Sequence, residues 1–308
     1  MRLSKMAAPR AAVDMLPRLL KGCVTGHQRL FFSSVDHIYL QKHPSVHQRR
    51  YLFFYRQRNT AYSVVWPAIV SPAHPVPEHI KKPDYVTTGI VPDWGDCIEI
   101  KNEDQIQGLR QACQLARQVL LLAGKSLKVN SDMEDGDIIN IDVTVYYNGY
   151  HGDTSETILV GNVDESGQKL VEVARKCRDE AIAACRPGAP FSVIGNTISR
   201  IARQNDFRVC PYFVGHGIGS YFHGHPEVWH HENESDLLME EGMAFTIEPI
   251  IMEGTSEFKI LGDKWTAVSL DHKRSAQFEH TILIAPSGAQ VLTRLQEEEE
   301  EEEEEGET

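Results

Sequence analysis

The sequence predicts an α+β fold, and three observations carry that prediction. Apolar residues recur at helical spacing over residues 103–123, with further helical patterns downstream. Shorter segments alternate apolar and polar residues, as half-buried strands do. Asn148 and Gly149 join two such segments, and this pair is the strongest short signal of a β-hairpin because a type I′ turn needs positive φ at both positions. Helices and strands of comparable weight in one chain indicate a mixed fold.

The N-terminal part of the chain differs in composition from the rest. Residues 1–77 hold eleven Lys and Arg residues but only Asp14 and Asp36 as acids, a composition typical of a mitochondrial transit peptide; the alternative is a basic tail. Residues 1–58 are therefore assigned to a leader. Residues 59–100 are rich in proline and aromatic residues, as in Pro92-Asp93-Trp94. This composition predicts an extended chain that lies on a domain surface. Residues 59–83 are assigned to a linker, and the folded body is expected from Asp84.

Three helices are predicted in the body. The first covers residues 103–123, with Gly124 as its C-cap. The second covers residues 165–186 and ends at Pro187-Gly188, and the third covers residues 191–204.

Strands predicted over residues 137–147 and 150–160 form the hairpin, which brings two acidic residues together. With Asn148-Gly149 as its turn, paired residues have numbers that sum to 297, so Thr144 lies opposite Asp153 and Asp142 opposite Ser155. Asp142 and Asp153 then share the polar face as diagonal neighbours about 7 Å apart. Two carboxylates that close repel unless a cation lies between them, so a divalent metal is one explanation and a solvent-facing sheet surface is the other.

Two further acids lie within apolar strands. Strands predicted over residues 243–250 and 277–284 contain Glu248 and Glu279, and an unpaired buried acid is costly unless it coordinates a metal.

Histidines supply the remaining candidates. His216 lies between glycines in Gly-His-Gly, where backbone can approach closely, and His223 follows seven residues later. His225, His230 and His231 are expected at the surface. Two Asp, one His and two Glu form an oxygen-rich set that suits Mn, Co, Fe(II) or Zn, and five ligands suffice for two metal ions.

Composition excludes several classes of function. Of the formal charge of −13, ten negative charges belong to the Glu-rich tail within residues 296–308, so the body is nearly neutral, which argues against a nucleic-acid-binding protein. The sequence lacks an apolar run of about 18–20 residues, so we expect no membrane span. Six scattered cysteines without a Cys-x-x-Cys pair predict reduced thiols rather than disulfides or structural zinc. The tail is expected to be disordered.

These motifs, in this order, resemble those of the type I methionine aminopeptidases. The resemblance rests on Asp-x10-Asp, His-x6-His, Gly-Met-x-Phe-Thr-Ile-Glu-Pro and Ala-Gln-Phe-Glu-His-Thr, and it runs from about residue 74 to about residue 295. It implies the pita-bread (creatinase/aminopeptidase-like) fold for a catalytic domain at residues 84–295. With the basic leader, it points to the mitochondrial members of that family and to the matrix.

The resemblance also implies a role for each candidate residue. Asp142 would chelate one of two divalent ions, Asp153 and Glu279 would bridge both, and His216 and Glu248 would complete the second. A water activated between the ions would attack the peptide bond after an initiator methionine. Glu248 would also shuttle the proton, and His223 would steady the substrate carbonyl. Phe222 and Trp265 match apolar positions of the methionine pocket. The expected partners are Met-initiated peptides and nascent proteins, and we expect a monomer.

One part of the family pattern is missing. Between the first helix and the first strand the family carries a second helix and a strand-and-loop segment with Tyr-Pro-x-Pro and Cys-His-Gly-Ile-Pro motifs, and neither motif occurs here. The sequence therefore predicts an internal deletion near residues 129–135, which leaves the N-terminal half of the fold incomplete. Two functions remain open: removal of N-terminal methionine, or a catalytically impaired relative that retains the metal ligands but lacks part of the pocket.

Overall fold

The computed structural model describes residues 75–90, 92–95, 97–127, 135–295 and 298, and all of them belong to one compact unit. The predicted leader, most of the linker, the deletion site and nearly all of the acidic tail lie outside the described residues. Four helices are described: α1 (Asp84–Thr88), α2 (Glu103–Lys125), α3 (Glu165–Ala183) and α4 (Ser192–Gln204). In the described part of the chain, no helix combines the length and the apolar character needed to cross a membrane.

Twelve strands are described, and they form four sheets. They are β1 (Asp137–Tyr147), β2 (Tyr150–Val160), β3 (Arg208–Val209), β4 (Gly215–Gly217), β5 (Gly224–Val228), β6 (Ala244–Ile247), β7 (Ile250–Met252), β8 (Phe258–Ile260), β9 (Ala267–Ser269), β10 (Ser275–Gln277), β11 (His280–Ala285) and β12 (Gly288–Val291). The largest sheet has the order β12-β11-β6-β4-β5, and the second has the order β10-β7-β3. The β1–β2 hairpin and the β8–β9 pair complete the set.

The hairpin has the predicted bounds and register. Strands β1 and β2 pair antiparallel with Asp137 opposite Val160 and Thr144 opposite Asp153, so paired numbers sum to 297. Asn148 and Gly149 both adopt positive φ (50° and 91°), as the turn requires. This prediction is confirmed.

Helix α2 covers the apolar face of the hairpin. A capping box between Asn102 and Gln105 starts the helix. Its predicted apolar stripe is buried, with Leu109 and Leu120 at 0–1% exposure. The prediction that Gly124 caps the helix is wrong, because α2 continues to Lys125; a side chain at Gly124 would instead meet Ile158 of β2.

Helices α3 and α4 pack on the two larger sheets and enclose the main core. Helix α3 ends three residues before the predicted bound, and α4 starts one residue after it. Phe245 of β6 and Phe278 lie at the centre of this core with no exposed surface. The core holds β6, β7, β10 and β11 in place, and these four strands flank the two candidate glutamates.

The two predicted C-terminal strands are each broken in two. The prediction of continuous strands over 243–250 and 277–284 is wrong, because β6 gives way to β7 at Glu248-Pro249 and β10 gives way to β11 at Phe278-Glu279. β6 and β11 pair in the five-stranded sheet, whereas β7 and β10 pair in the three-stranded sheet. Both glutamates therefore lie where the chain passes from one sheet to the other.

Candidate metal centre

The hairpin presents two carboxylates on its polar face, as predicted. Asp153 is buried in β2, and Asp142 is half-buried in β1 opposite Ser155. Thr144 donates a hydrogen bond from Oγ1 to Asp153 Oδ1 at 2.9 Å. That bond fixes one carboxylate oxygen of Asp153 and leaves the other, Oδ2, directed toward His216, whose Nε2 lies 3.7 Å away.

Glycines allow His216 to lie deep in the site. A Cβ atom added at Gly215 would come within 2.3 Å of the Thr246 carbonyl oxygen, and one at Gly217 within 2.0 Å of the His225 carbonyl oxygen. The His216 Nδ1 atom lies 3.2 Å from the Gly217 carbonyl oxygen. With Nδ1 donating there, the Nε2 lone pair faces the carboxylates, at 3.6 Å from Glu248 Oε1.

Both glutamates reach the same point from the strand breaks. Thr246 donates from Oγ1 to Glu248 Oε1 at 2.8 Å and also accepts the His216 backbone N–H at 3.0 Å, so one hydroxyl positions two candidate ligands. Glu279 is 2% exposed, and its backbone N–H donates to the Ser155 carbonyl at 2.9 Å. This bridge joins the hairpin to the break between β10 and β11.

Electrostatics of the cluster favour neutral side chains. Burial raises the pKa of Asp153 to about 7 and that of Glu248 to about 8, and the charge on Asp153 adds to the rise at Glu248. Burial and the neighbouring carboxylates raise the pKa values of Asp142 and Glu279 well above the usual range. Burial lowers the pKa of His216 to about 4. Four carboxyl groups thus lie together around an imidazole that holds no charge at neutral pH.

This donor set fits divalent metal ions. Ligand atoms of Asp153, His216 and Glu279 all lie within 4.8 Å of one another, and all three residues are buried. Buried carboxylates at this density are stable when ionised only if a cation compensates them. Carboxylate oxygens with a single imidazole suit hard or borderline ions. Of the five predicted positions, Asp153, His216 and Glu279 lie together in this way, and Glu248 lies beside His216. That the five residues bind metal stays a prediction.

The predicted substrate-side residues are only partly brought together. Phe222 and His223 lie beside His216, with ring centroids 5.7 Å and 4.2 Å from its ring. His223 Nδ1 is buried without a hydrogen-bond partner among the described residues. Trp265 is half-buried in the turn between β8 and β9, where its backbone N–H donates to Asp263, and no described ring contact links it to His216 or Phe222.

Sequence reasoning missed two buried histidines. His230, expected at the surface, is 1% exposed and accepts the Glu248 backbone N–H at Nε2 (3.1 Å), so that expectation is wrong. His151 is also 1% exposed and bonds Tyr85 Oη at 2.9 Å and the Gly219 carbonyl at 3.1 Å. Strand parity could have found His151, because it lies on the same face of β2 as Asp153. His230 comes close only through the tertiary fold.

Known proteins match this chain over most of its length. Residues 122–286 match Metallopeptidase family M24. The chain is 62% identical to mouse "Methionine aminopeptidase 1D, mitochondrial", which covers 95% of this chain and 100% of the relative, and 63% identical to the human protein of the same name with the same coverage. The mouse alignment spans 341 positions but takes about 293 residues of this 308-residue chain (95%), so about 48 positions have no counterpart here.

A solved structure shows the same fold. The crystal structure of methionine aminopeptidase from Rickettsia prowazekii aligns with a TM-score of 0.62 at 29% identity, covering 64% of this chain and 100% of that one. The motifs, the convergent ligand set and these matches agree with one another. This chain belongs to the M24 metallopeptidase family, as a type I methionine aminopeptidase with the pita-bread fold.

Proposed function

We propose that this protein removes the initiator methionine from nascent proteins and peptides at a dinuclear metal site. The observation that carries the proposal is the buried cluster of four carboxyl groups and one imidazole, because such a cluster needs cations to hold its carboxylates ionised. Family membership supports the reaction. The relatives' printed names support the substrate and a mitochondrial location, for which we propose the matrix.

Two metal ions would share five ligands. Asp142 would bind one ion, Asp153 and Glu279 would lie between both, and His216 and Glu248 would bind the second. Mn, Co, Fe(II) and Zn all fit this donor set. Such ions lower the pKa of water and polarise a carbonyl group.

The chain's own residues would supply orientation and proton transfer. Glu248 would carry the proton from the attacking water to the leaving amine, because Thr246 fixes one of its carboxylate oxygens at 2.8 Å. His223 would donate to the substrate carbonyl oxygen, and its unpaired ring nitrogen supports that role. Phe222 and Trp265 would line the methionine pocket. We propose that the enzyme acts as a monomer on Met-initiated chains.

We also infer that the chain lacks an internal segment of its family. The absence of two family motifs after α2 supports this, as do the roughly 48 unmatched positions in the mouse alignment. The proposed join, near residues 129–135, falls almost entirely outside the described residues.

Methionine release from a Met-Ala-Ser peptide by the full chain, with Mn²⁺ or Co²⁺ added, tests the proposed function. We expect release that disappears in Glu279→Ala and after chelation. Because Glu279→Ala could fail to fold, thermal unfolding of the variant must show an intact transition. Release that survives in a folded Glu279→Ala variant would refute the metal site as the source of activity.

A further inference from the structure

The segment that leads into the body places Trp94 against the metal centre. This residue belongs to a stretch with the composition of a surface linker, yet its side chain is half-buried. Its ring lies parallel to that of His223, with centroids 6.3 Å apart and planes inclined by 9°. It also meets the rings of His216 edge-on at 6.5 Å and His225 at 5.6 Å. The Trp94 ring thus lies beside the ring of a candidate metal ligand.

Two unpaired polar atoms lie on these neighbouring rings. Trp94 Nε1 and His223 Nδ1 are both enclosed and have no hydrogen-bond partner among the described residues. A buried polar group left without a partner costs about 1–3 kcal/mol. Two such atoms on neighbouring parallel rings indicate that a ligand with polar atoms completes their hydrogen bonding.

The aromatic surroundings indicate what else the ligand carries. Phe222 lies against His223 at 3.8 Å between ring centroids, and His151 also stacks on Phe222 at 5.6 Å. Trp94, Phe222 and His223 each contact the ring of His216. A thioether side chain makes favourable contacts with the edges of such rings.

We propose that Trp94 is a specificity-determining residue that contacts substrate, an inference that rests on the proposed function. Its ring forms one wall for the side chain of the N-terminal methionine. Its Nε1–H donates a hydrogen bond to the carbonyl oxygen of that residue, beside His223. Gly89 and Gly95, with φ of 67° and 71°, allow the chain to turn on both sides of the segment that holds Trp94.

Trp94→Phe tests the donor, because it keeps an aromatic wall and removes the N–H. Trp229→Phe is the matched control, since Trp229 Nε1 donates to Glu227 and its ring stacks on His231. For Met-Ala-Ser cleavage we expect Trp94→Phe to lower kcat/KM about three-fold to ten-fold, as for one lost hydrogen bond. Trp94→Ala should lower kcat/KM further because the aromatic ring is also lost. Trp229→Phe should match the wild type.

Calorimetric titration of L-methionine into the Mn²⁺-loaded full chain separates this inference from the proposed function, because it needs no turnover. Weaker methionine binding in Trp94→Phe than in Trp229→Phe supports the role of Trp94 even if the chain cleaves no peptide. Equal affinities in these two variants, or no methionine binding by any of the proteins, would overturn it.

Discussion

At the scale of single residues, the candidate metal centre is a set of acids whose pKa values are raised. Burial raises the pKa of Asp153 to about 7 and that of Glu248 to about 8, and the charge on Asp153 adds to the rise at Glu248. In the metal-free protein they retain protons near neutral pH, and a divalent cation would displace these protons. Metal binding and proton release are therefore coupled at this site.

This coupling predicts how metal-free stability depends on pH. The native pKa of Glu248 lies well above the unfolded value of about 4.3, so the native state binds more protons and stability falls as pH rises through 8. Between pH 7 and pH 8.5 we expect the titration of Glu248 to lower the free energy of unfolding by roughly 1 kcal/mol, and Tm by about 2–4 °C. Thermal unfolding of the chelator-treated wild type and of Glu248→Gln across this pH range measures the contribution of Glu248. All other titrating groups are common to the two proteins.

The expected result is that Glu248→Gln gains stability over wild type as pH rises. Saturating Mn²⁺ should reverse the order at pH 8.5, because the wild type then binds the ion more tightly. Parallel pH profiles for the two metal-free proteins would show that Glu248 is not held neutral by its surroundings.

Residue positions on the hairpin could be predicted, whereas positions set by distant segments could not. The Asn148-Gly149 turn fixes the register, and strand parity then places Asp142 and Asp153 on one face. His230 reaches Glu248 through the packing of β5 against β6, and no local sequence pattern predicts that contact. Trp94 was missed for the same reason, because proline-rich composition indicates an extended chain but not what that chain covers.

At the scale of secondary-structure elements, the close approach of α2 to β2 places Asp153. Gly152 precedes Asp153, and a Cβ atom there would lie 2.4 Å from the backbone of Ala112 and Cys113 in α2. Backbone atoms of a helix cannot move aside as the end of a flexible side chain can. Helix α2 and strand β2 therefore lie at a separation that only glycine permits at position 152.

Gly152→Ala should consequently move β2 away from α2 and displace Asp153. We expect a fall in Tm of about 5 °C or more, as for an overpacked core, and a weaker Mn²⁺ affinity. Gly262→Ala is the control, because a Cβ atom at Gly262 meets nothing within 4 Å and its φ is not positive. Unfolding and Mn²⁺ titration of both variants measure the two effects. A Gly152→Ala protein with wild-type stability and affinity would contradict this account of the packing.

The hairpin, which has a local turn signal, was predicted well, and the elements that depend on the sheets were not. β1 and β2 have the predicted bounds because their turn is encoded between them. The sequence predicts one continuous strand around Glu248 and another around Glu279, because the apolar pattern continues through each break. In the structure each is divided into two strands, because the chain passes from one sheet to another at Glu248-Pro249 and at Phe278-Glu279.

At the scale of the whole molecule, the described residues leave part of the N-terminal half uncovered. Among the described residues β1 pairs with β2 alone, so one edge of an eleven-residue strand is unpaired. Leu122 on α2 is 67% exposed, and Leu159 on β2 is 41% exposed. An unpaired edge beside exposed apolar side chains is a surface that another segment or another copy would cover. The segment that we infer to be missing relative to the family would follow α2 directly, next to this surface.

Restoring that segment should therefore change stability, association and activity together. We place the roughly 48 unmatched positions of the mouse alignment at the inferred join. The mouse segment inserted there, between Leu127 and Gly136, would supply a strand partner and a cover for Leu122. We expect the restored chain to unfold at a Tm at least about 5 °C higher, because buried apolar area and strand pairing increase. It should also remain monomeric at higher concentrations than the present chain, because the uncovered strand edge favours association, and release methionine from Met-Ala-Ser faster. Calorimetry, sedimentation velocity and a peptide assay measure these three quantities on the two full chains.

A scrambled insert of the same composition is the control, since it adds length without the pairing pattern. If the present chain equals the restored chain in all three measurements, the segment is dispensable and the five ligands with their supporting strands suffice for the enzyme.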